Sequence, residues 1–254
     1  MFADQYLWLF FAMVVFGAFT QGFTGVGFGI IVLAGIAFTP WDFERAAVVV
    51  NLILPFLNLS IIYASRRESR INWRLVAVLL LGIAVGVPAG YWFILNFGND
   101  PIFKVALGTA LTLFAANELF RPRIRSALHI GFGLLAGFIG GFFAGGFTAA
   151  GPPIALFVYS RHKDPVMAKG TLQFVFMSAT LWRLGNIIIF GKGVTLPIMT
   201  LALESIPIVI LLVFLGHRLS RQVSSKTFLR IVYSFIGLAG LLNVTKGFLG
   251  MWKG

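Results

Sequence analysis

From residue 5 to residue 41 the chain runs for 37 residues without an aspartate, glutamate, lysine or arginine, and further uncharged runs follow at 46–65, 75–99 and 126–160. An α-helix needs about 20 mainly apolar residues to cross the hydrocarbon core of a bilayer, and each of these runs meets or exceeds that length. With 59% hydrophobic and only 11% charged residues, the chain has too little polar surface to cover a soluble domain. The runs predict an all-α polytopic membrane protein with about eight to ten membrane segments. The first run extends well past a signal-peptide core and has no basic n-region, so it reads as a membrane segment.

The formal charge of +12 suggests nucleic acid only until the charges are located. Fourteen of the 20 lysines and arginines fall in four short clusters, at 66–74, 121–125, 161–169 and 218–230, each beside a hydrophobic span. Under the positive-inside rule they are topology signals that place loops 66–74, 121–127, 161–169 and 217–228 in the cytoplasm and the protein in the cytoplasmic membrane. The partners this implies are the lipid bilayer and a small solute, with no nucleic acid. There is no cysteine, and His129, His162 and His217 are too scattered for metal ligation, so no metal or cofactor is expected. Eight acids spread mostly over loops form no catalytic constellation, which argues against an enzyme.

Walking the spans with basic loops inside predicts a hairpin at 6–39 and spans at 44–65, 75–97 and 101–119, then a hairpin at 128–160 and spans at 166–190, 194–216 and 229–249. Two units follow, 1–120 and 128–254. They share a motif at an offset of 124 residues: Gly22-Phe23-Thr24-x-x-Gly27-x-x-Ile30 returns as Gly146-Phe147-Thr148-x-x-Gly151-x-x-Ile154. An offset of 126 then pairs Gly90 with Gly216 and Asn117 with Asn243. Five segments per unit is an odd number, so related units sit upside down to one another: two inverted repeats, each a glycine-rich helical hairpin plus three transmembrane helices.

The runs that open the two units are too short for two full spans and a turn, which predicts tight hairpins of short helices with glycine-rich tips inside the membrane. Non-helical backbone at that depth is tolerated where it is buried in protein or lines a wet cavity. If the second arm of each hairpin starts at the motif, its free N–H groups and dipole favour an anion. The candidate substrate-binding residues are therefore Gln21, Gly22, Phe23, Thr24 and Gly27 at one tip and Gly146, Phe147, Thr148 and Gly151 at the other. Arg183 and Glu204 are ionisable groups well away from the ends of their spans; they are expected either to serve an anion and a coupled proton, respectively, or to pair with each other. Gly82, Gly86 and Gly90, and Gly137, Gly141 and Gly145, read as helix-packing ridges. Asn51, Asn58, Gln173 and Asn186 read as hydrogen-bonding glue between helices or as cavity lining, and Arg45 and Lys169 as snorkelling side chains or as electrostatic guards at opposite mouths.

The repeated Gly-Phe-Thr-x-x-Gly hairpins, the length and the charge pattern resemble the TauE/SafE family of membrane permeases over nearly the whole chain. That resemblance implies transport of sulfite, sulfonates or other small organic anions, with Gly22 to Gly29 and Gly145 to Pro153 as the substrate region. The expected function is a secondary transporter taking a small anion through a midplane site between the hairpin tips. An anion channel and a non-transporting membrane scaffold are the alternatives. The sequence carries no signal of oligomeric state.

Overall fold

The computed structural model describes residues 4–36, 38–66, 71–98, 100–120, 129–161, 165–190, 194–220, 222 and 226–252. Among them a 3-10 turn, Asp4–Tyr6, precedes ten α-helices, with no strand. The first five are α1 (Leu7–Thr24), α2 (Phe28–Ile36), α3 (Phe43–Ser65), α4 (Trp73–Phe97) and α5 (Pro101–Phe120). The second five are α6 (Phe132–Phe147), α7 (Gly151–Arg161), α8 (Pro165–Phe190), α9 (Leu196–Leu219) and α10 (Lys226–Trp252). The helices α1, α3, α4, α8 from Ala168 onward, and α9 are long and apolar enough to cross a membrane. Loop 121–127 and parts of the other three basic loops lie outside the described residues. The outer surface exposes Trp8, Leu81, Trp92, Ile188 and Leu211, as a lipid-facing surface does.

The most extensive helix contacts come in matched pairs. α4 packs on α6 as α9 packs on α1; α3 packs on α9 as α8 packs on α4; and α1–α2 and α2–α3 match α6–α7 and α7–α8. The pairs α5–α10 and α3–α8 each map onto themselves. Every one of these relations follows from replacing a helix by its counterpart five helices along the chain.

Small residues explain how close these contacts become. A Cβ added at Gly82, Gly86 or Gly90 would overlap the backbone oxygens of Leu134, Phe138 and Phe142 on α6, and one at Gly137 or Gly145 would overlap α4. The α4–α6 pair is thus held at backbone contact, where dispersion and weak polar interactions replace the missing hydrophobic drive between helices in lipid. Gly216 meets Phe19 and Gly22 of α1 in the corresponding way. Pro88 in α4 removes the N–H that would bond Ala84 O, and the indole Nε1 of Trp182 on α8 donates to that oxygen instead at 3.2 Å. Asp42 and Asn72 cap α3 and α4, accepting from Arg45 N at 2.9 Å and Leu75 N at 3.2 Å.

The hairpins depart from expectation in two respects. Their arms are unequal: α1 has 18 residues and α6 has 16, whereas α2 has 9 and α7 has 11. At 1.5 Å per residue the first arms are about 25 Å long and the returning arms about 15 Å. In addition, the second arms do not start at the Gly-Phe-Thr that opens the repeated motif. Gly22, Phe23 and Thr24 form the last turn of α1, and Gly146 and Phe147 that of α6, because the left-handed residues that end these helices come later, Gly25 at φ 91° and Thr148 at φ 49°. The short arms begin at Phe28 and Gly151.

Candidate functional site

The two hairpin tips touch. A Cβ at Gly29, in the first turn of α2, would overlap Thr148 O, and Val26 borders Gly151. Beside this contact lies a cavity of about 490 Å³, its open mouth included, walled by both tips and by α3 and α8. Of the residues singled out from the sequence, Gln21, Gly27, Thr148, Gly151 and Arg183 line it.

Arg183 is 1% exposed, and its Nε and both terminal nitrogens have no hydrogen-bond partner among the described residues. It sits on one stripe of α8 with Phe176, Ala179 and Thr180, three to four residues apart, so helical periodicity turns all four toward the cavity. Glu44 and Tyr91 are within electrostatic reach of the guanidinium. Among the described residues no aspartate or glutamate lines the cavity.

Gln21 organises the first tip. Its Oε1 accepts from Phe28 N at 2.9 Å, capping α2, while its Nε2 donates to Asn58 Oδ1 at 3.2 Å. Asn58 Nδ2 has no hydrogen-bond partner among the described residues, and Asn51 Nδ2 donates to Thr180 O at 3.3 Å. Helices α2 and α7 both begin at this cavity, lined by Gly27, Gly29 and Ile30 on one side and by Ala149, Ala150 and Gly151 on the other. Their first-turn N–H groups lack intrahelical acceptors, and each terminus carries about half a positive charge. Pro152 and Pro153 carry no N–H, so α2 is the richer source of donors. Cation, amide donors and two helix N-termini converge on one volume, an arrangement that suits an anion with several oxygens.

The remaining candidates lie elsewhere. Gly22 packs against Val213 of α9, and Phe23 stacks on Phe19 with ring centroids 6.0 Å apart. The Thr24 hydroxyl is engaged in its own turn, 2.9 Å from Thr20 O and 2.7 Å from Val26 O, and accepts from Val26 N at 3.1 Å. Gly146 faces Gly90, and Phe147 packs its ring 5.1 Å from that of Phe103. Glu204 is exposed and does not pair with Arg183. The reason is phase: α9 buries Ile198, Leu201, Ala202, Ser205, Val209 and Val213, which puts position 204 on the opposite face.

Lys169 does not snorkel. Its Nζ donates to Gly22 O at 3.1 Å and lies 3.5 Å from His217 Nδ1, and Gln173 Nε2 donates to Gly25 O. Both side chains reach from α8 to the carbonyl end of α1, where a cation is favoured. Asn51 and Asn58 bond between helices, as read from the sequence, and also line the cavity; their spacing of seven on one helix, and that of Gln173, Thr180 and Arg183 on another, are the signals that mark one polar face. Asn186 donates at 2.8 Å to Trp182 O in its own helix.

The family model for the sulfite exporter TauE/SafE matches residues 9–242 of the 254. The chain belongs to the TauE/SafE family. Neither the curated proteins nor the solved structures give a match. Together with its long apolar helices, membership makes this TauE/SafE protein a multi-pass membrane transporter of the sulfite exporter class. The match takes in both hairpins and every residue that lines the cavity.

Proposed function

We propose that this protein is a secondary transporter that carries a small sulfur oxyanion or related organic anion, such as sulfite or a sulfonate, across the cytoplasmic membrane, binding it between the hairpin tips against Arg183. One observation carries the reading: a fully buried guanidinium without a hydrogen-bond partner among the described residues lines a cavity to which those residues bring no acidic side chain. A buried cation in that condition is costly unless a ligand completes it. The forked guanidinium matches two oxygens of a sulfite or sulfonate head, leaving a third for Asn58 Nδ2 or the first turn of α2.

The matched helix contacts support a mechanism in which the units 1–120 and 128–254, as inverted repeats, rock about the site. Lys169 and Gln173 tie the α1 tip to α8, and release of these bonds would free the first hairpin from the wall beneath the anion. Glu204 lies off this path, so the proposal assigns the anion no proton carrier among the cavity residues. Reconstitution into proteoliposomes tests the reading. Uptake of radiolabelled sulfite should saturate, and planar bilayers should show no unitary currents; unitary anion currents would make the protein a channel instead.

A further inference from the structure

A second cavity, of about 590 Å³ with its open mouth included, adjoins the first. Its walls include Ile30, Leu107, Leu111, Phe114, Phe143 and Phe147, and no lining residue is polar. Ile30 and Ala149 line both cavities, so the two are separated by a single layer of side chains. These two residues belong to the hairpin tips themselves, whose helix N-termini face the anion site.

We infer that the preferred substrate is an amphiphilic anion, an organosulfonate or similar oxyanion whose head binds at Arg183 and whose aliphatic tail passes between Ile30 and Ala149 into the apolar cavity. The inference rests on the anion site proposed above. A head held by the first turn of α2 leaves its tail one side chain from a volume that offers only carbon contacts. Sulfite itself would use the polar cavity alone. Leu113, 65% exposed, marks where the apolar cavity opens toward the bilayer, which makes a lipid acyl chain the competing occupant.

Competition of straight-chain sulfonates, methanesulfonate to octanesulfonate, against sulfite uptake in proteoliposomes tests this. Each added methylene should tighten inhibition about fourfold until the cavity is full. Ala110 also lines the apolar cavity, and an Ala110→Phe variant that fills it should keep sulfite uptake and lose the dependence on chain length. Because the chain has no cysteine, a Leu111→Cys variant gives an independent readout: octanesulfonate should protect it from maleimide and methanesulfonate should not. A chain-length dependence that persists in Ala110→Phe reports partition into the bilayer and overturns the inference, as does Leu111→Cys labelling indifferent to the sulfonate. If sulfite and methanesulfonate compete but chain length has no effect, this inference alone falls. If the unaltered protein binds neither, the anion site falls and takes the inference with it.

Discussion

Replacing Arg183 by methionine separates a ligand-binding role from a structural one, because the two predict opposite signs for stability. If the guanidinium meets an oxyanion at about 4 Å in a site of effective dielectric constant about 20, the attraction is worth about 4 kcal/mol. Truncating one member of a buried charge pair costs about 2–5 kcal/mol, so sulfite should bind roughly thirty- to several-thousand-fold more weakly in Arg183→Met. Without ligand the balance reverses. The guanidinium is 1% exposed and its three nitrogens lack hydrogen bonds among the described residues. Exchanging buried charges for apolar groups of similar volume is commonly neutral or stabilising by about 1–4 kcal/mol; here Glu44 and Tyr91, within electrostatic reach, reduce the gain. The ligand-free unfolding midpoint should therefore hold or rise by a few degrees, at about 2–4 °C per kcal/mol for a chain of this size. Six tryptophans supply the signal by intrinsic fluorescence, and the absence of cysteine rules out thiol dyes. Sulfite at about 100 times its Kd should add about 2.7 kcal/mol of stability to the unaltered protein and little to the variant. A lowered midpoint combined with an undiminished response to sulfite would refute the reasoning and make Arg183 a structural residue.

Three further outcomes follow from the same geometry. Gln21→Leu removes both the cap on Phe28 N and the bond to Asn58; at about 1 kcal/mol for a cap, sulfite affinity should drop about fivefold, and unchanged affinity in a binding titration would show that the cap does not organise the site. Gly90→Val forces a side chain into the backbone of α6 and should destabilise the protein by about 1–3 kcal/mol, seen as a lower unfolding midpoint, with Ser at the same position less harmful; an unaltered midpoint would contradict the close α4–α6 contact. Glu204→Gln, on the exposed face of α9, should leave sulfite uptake driven by a pH gradient unchanged. Uncoupling of that uptake would restore a proton-carrying role for this residue.

Helix order was legible because lipid imposes it: a backbone in hydrocarbon must satisfy its own hydrogen bonds, so long uncharged runs become helices wherever they occur. Thus 44–65 and 75–97 lie within a residue or two of α3 and α4. The glycine ridge at 82, 86 and 90 was legible too, since a four-residue period stacks small residues on one face. The hairpin interior was not. Gly-Phe-Thr reads equally well as the end of one helix or the start of the next, and the choice depended on which residue took the left-handed conformation, Gly25 in one unit and Thr148 in the other.

The sequence by itself determined that this chain lives in a membrane, that its two halves carry the same glycine motif, and that an arginine is placed within a span. Those properties are written in composition, period and spacing, which no packing arrangement can alter. Only the tertiary structure decided what the arginine meets. Arg183 and Glu204 both stand in apolar helices, yet the packing faces of α8 and α9 bury one beside a cavity at which two helices begin and turn the other outward. Which face of a helix is buried depends on its neighbours, and in lipid an apolar residue is acceptable on either side, so the period that marks the buried face of a soluble helix is weak here.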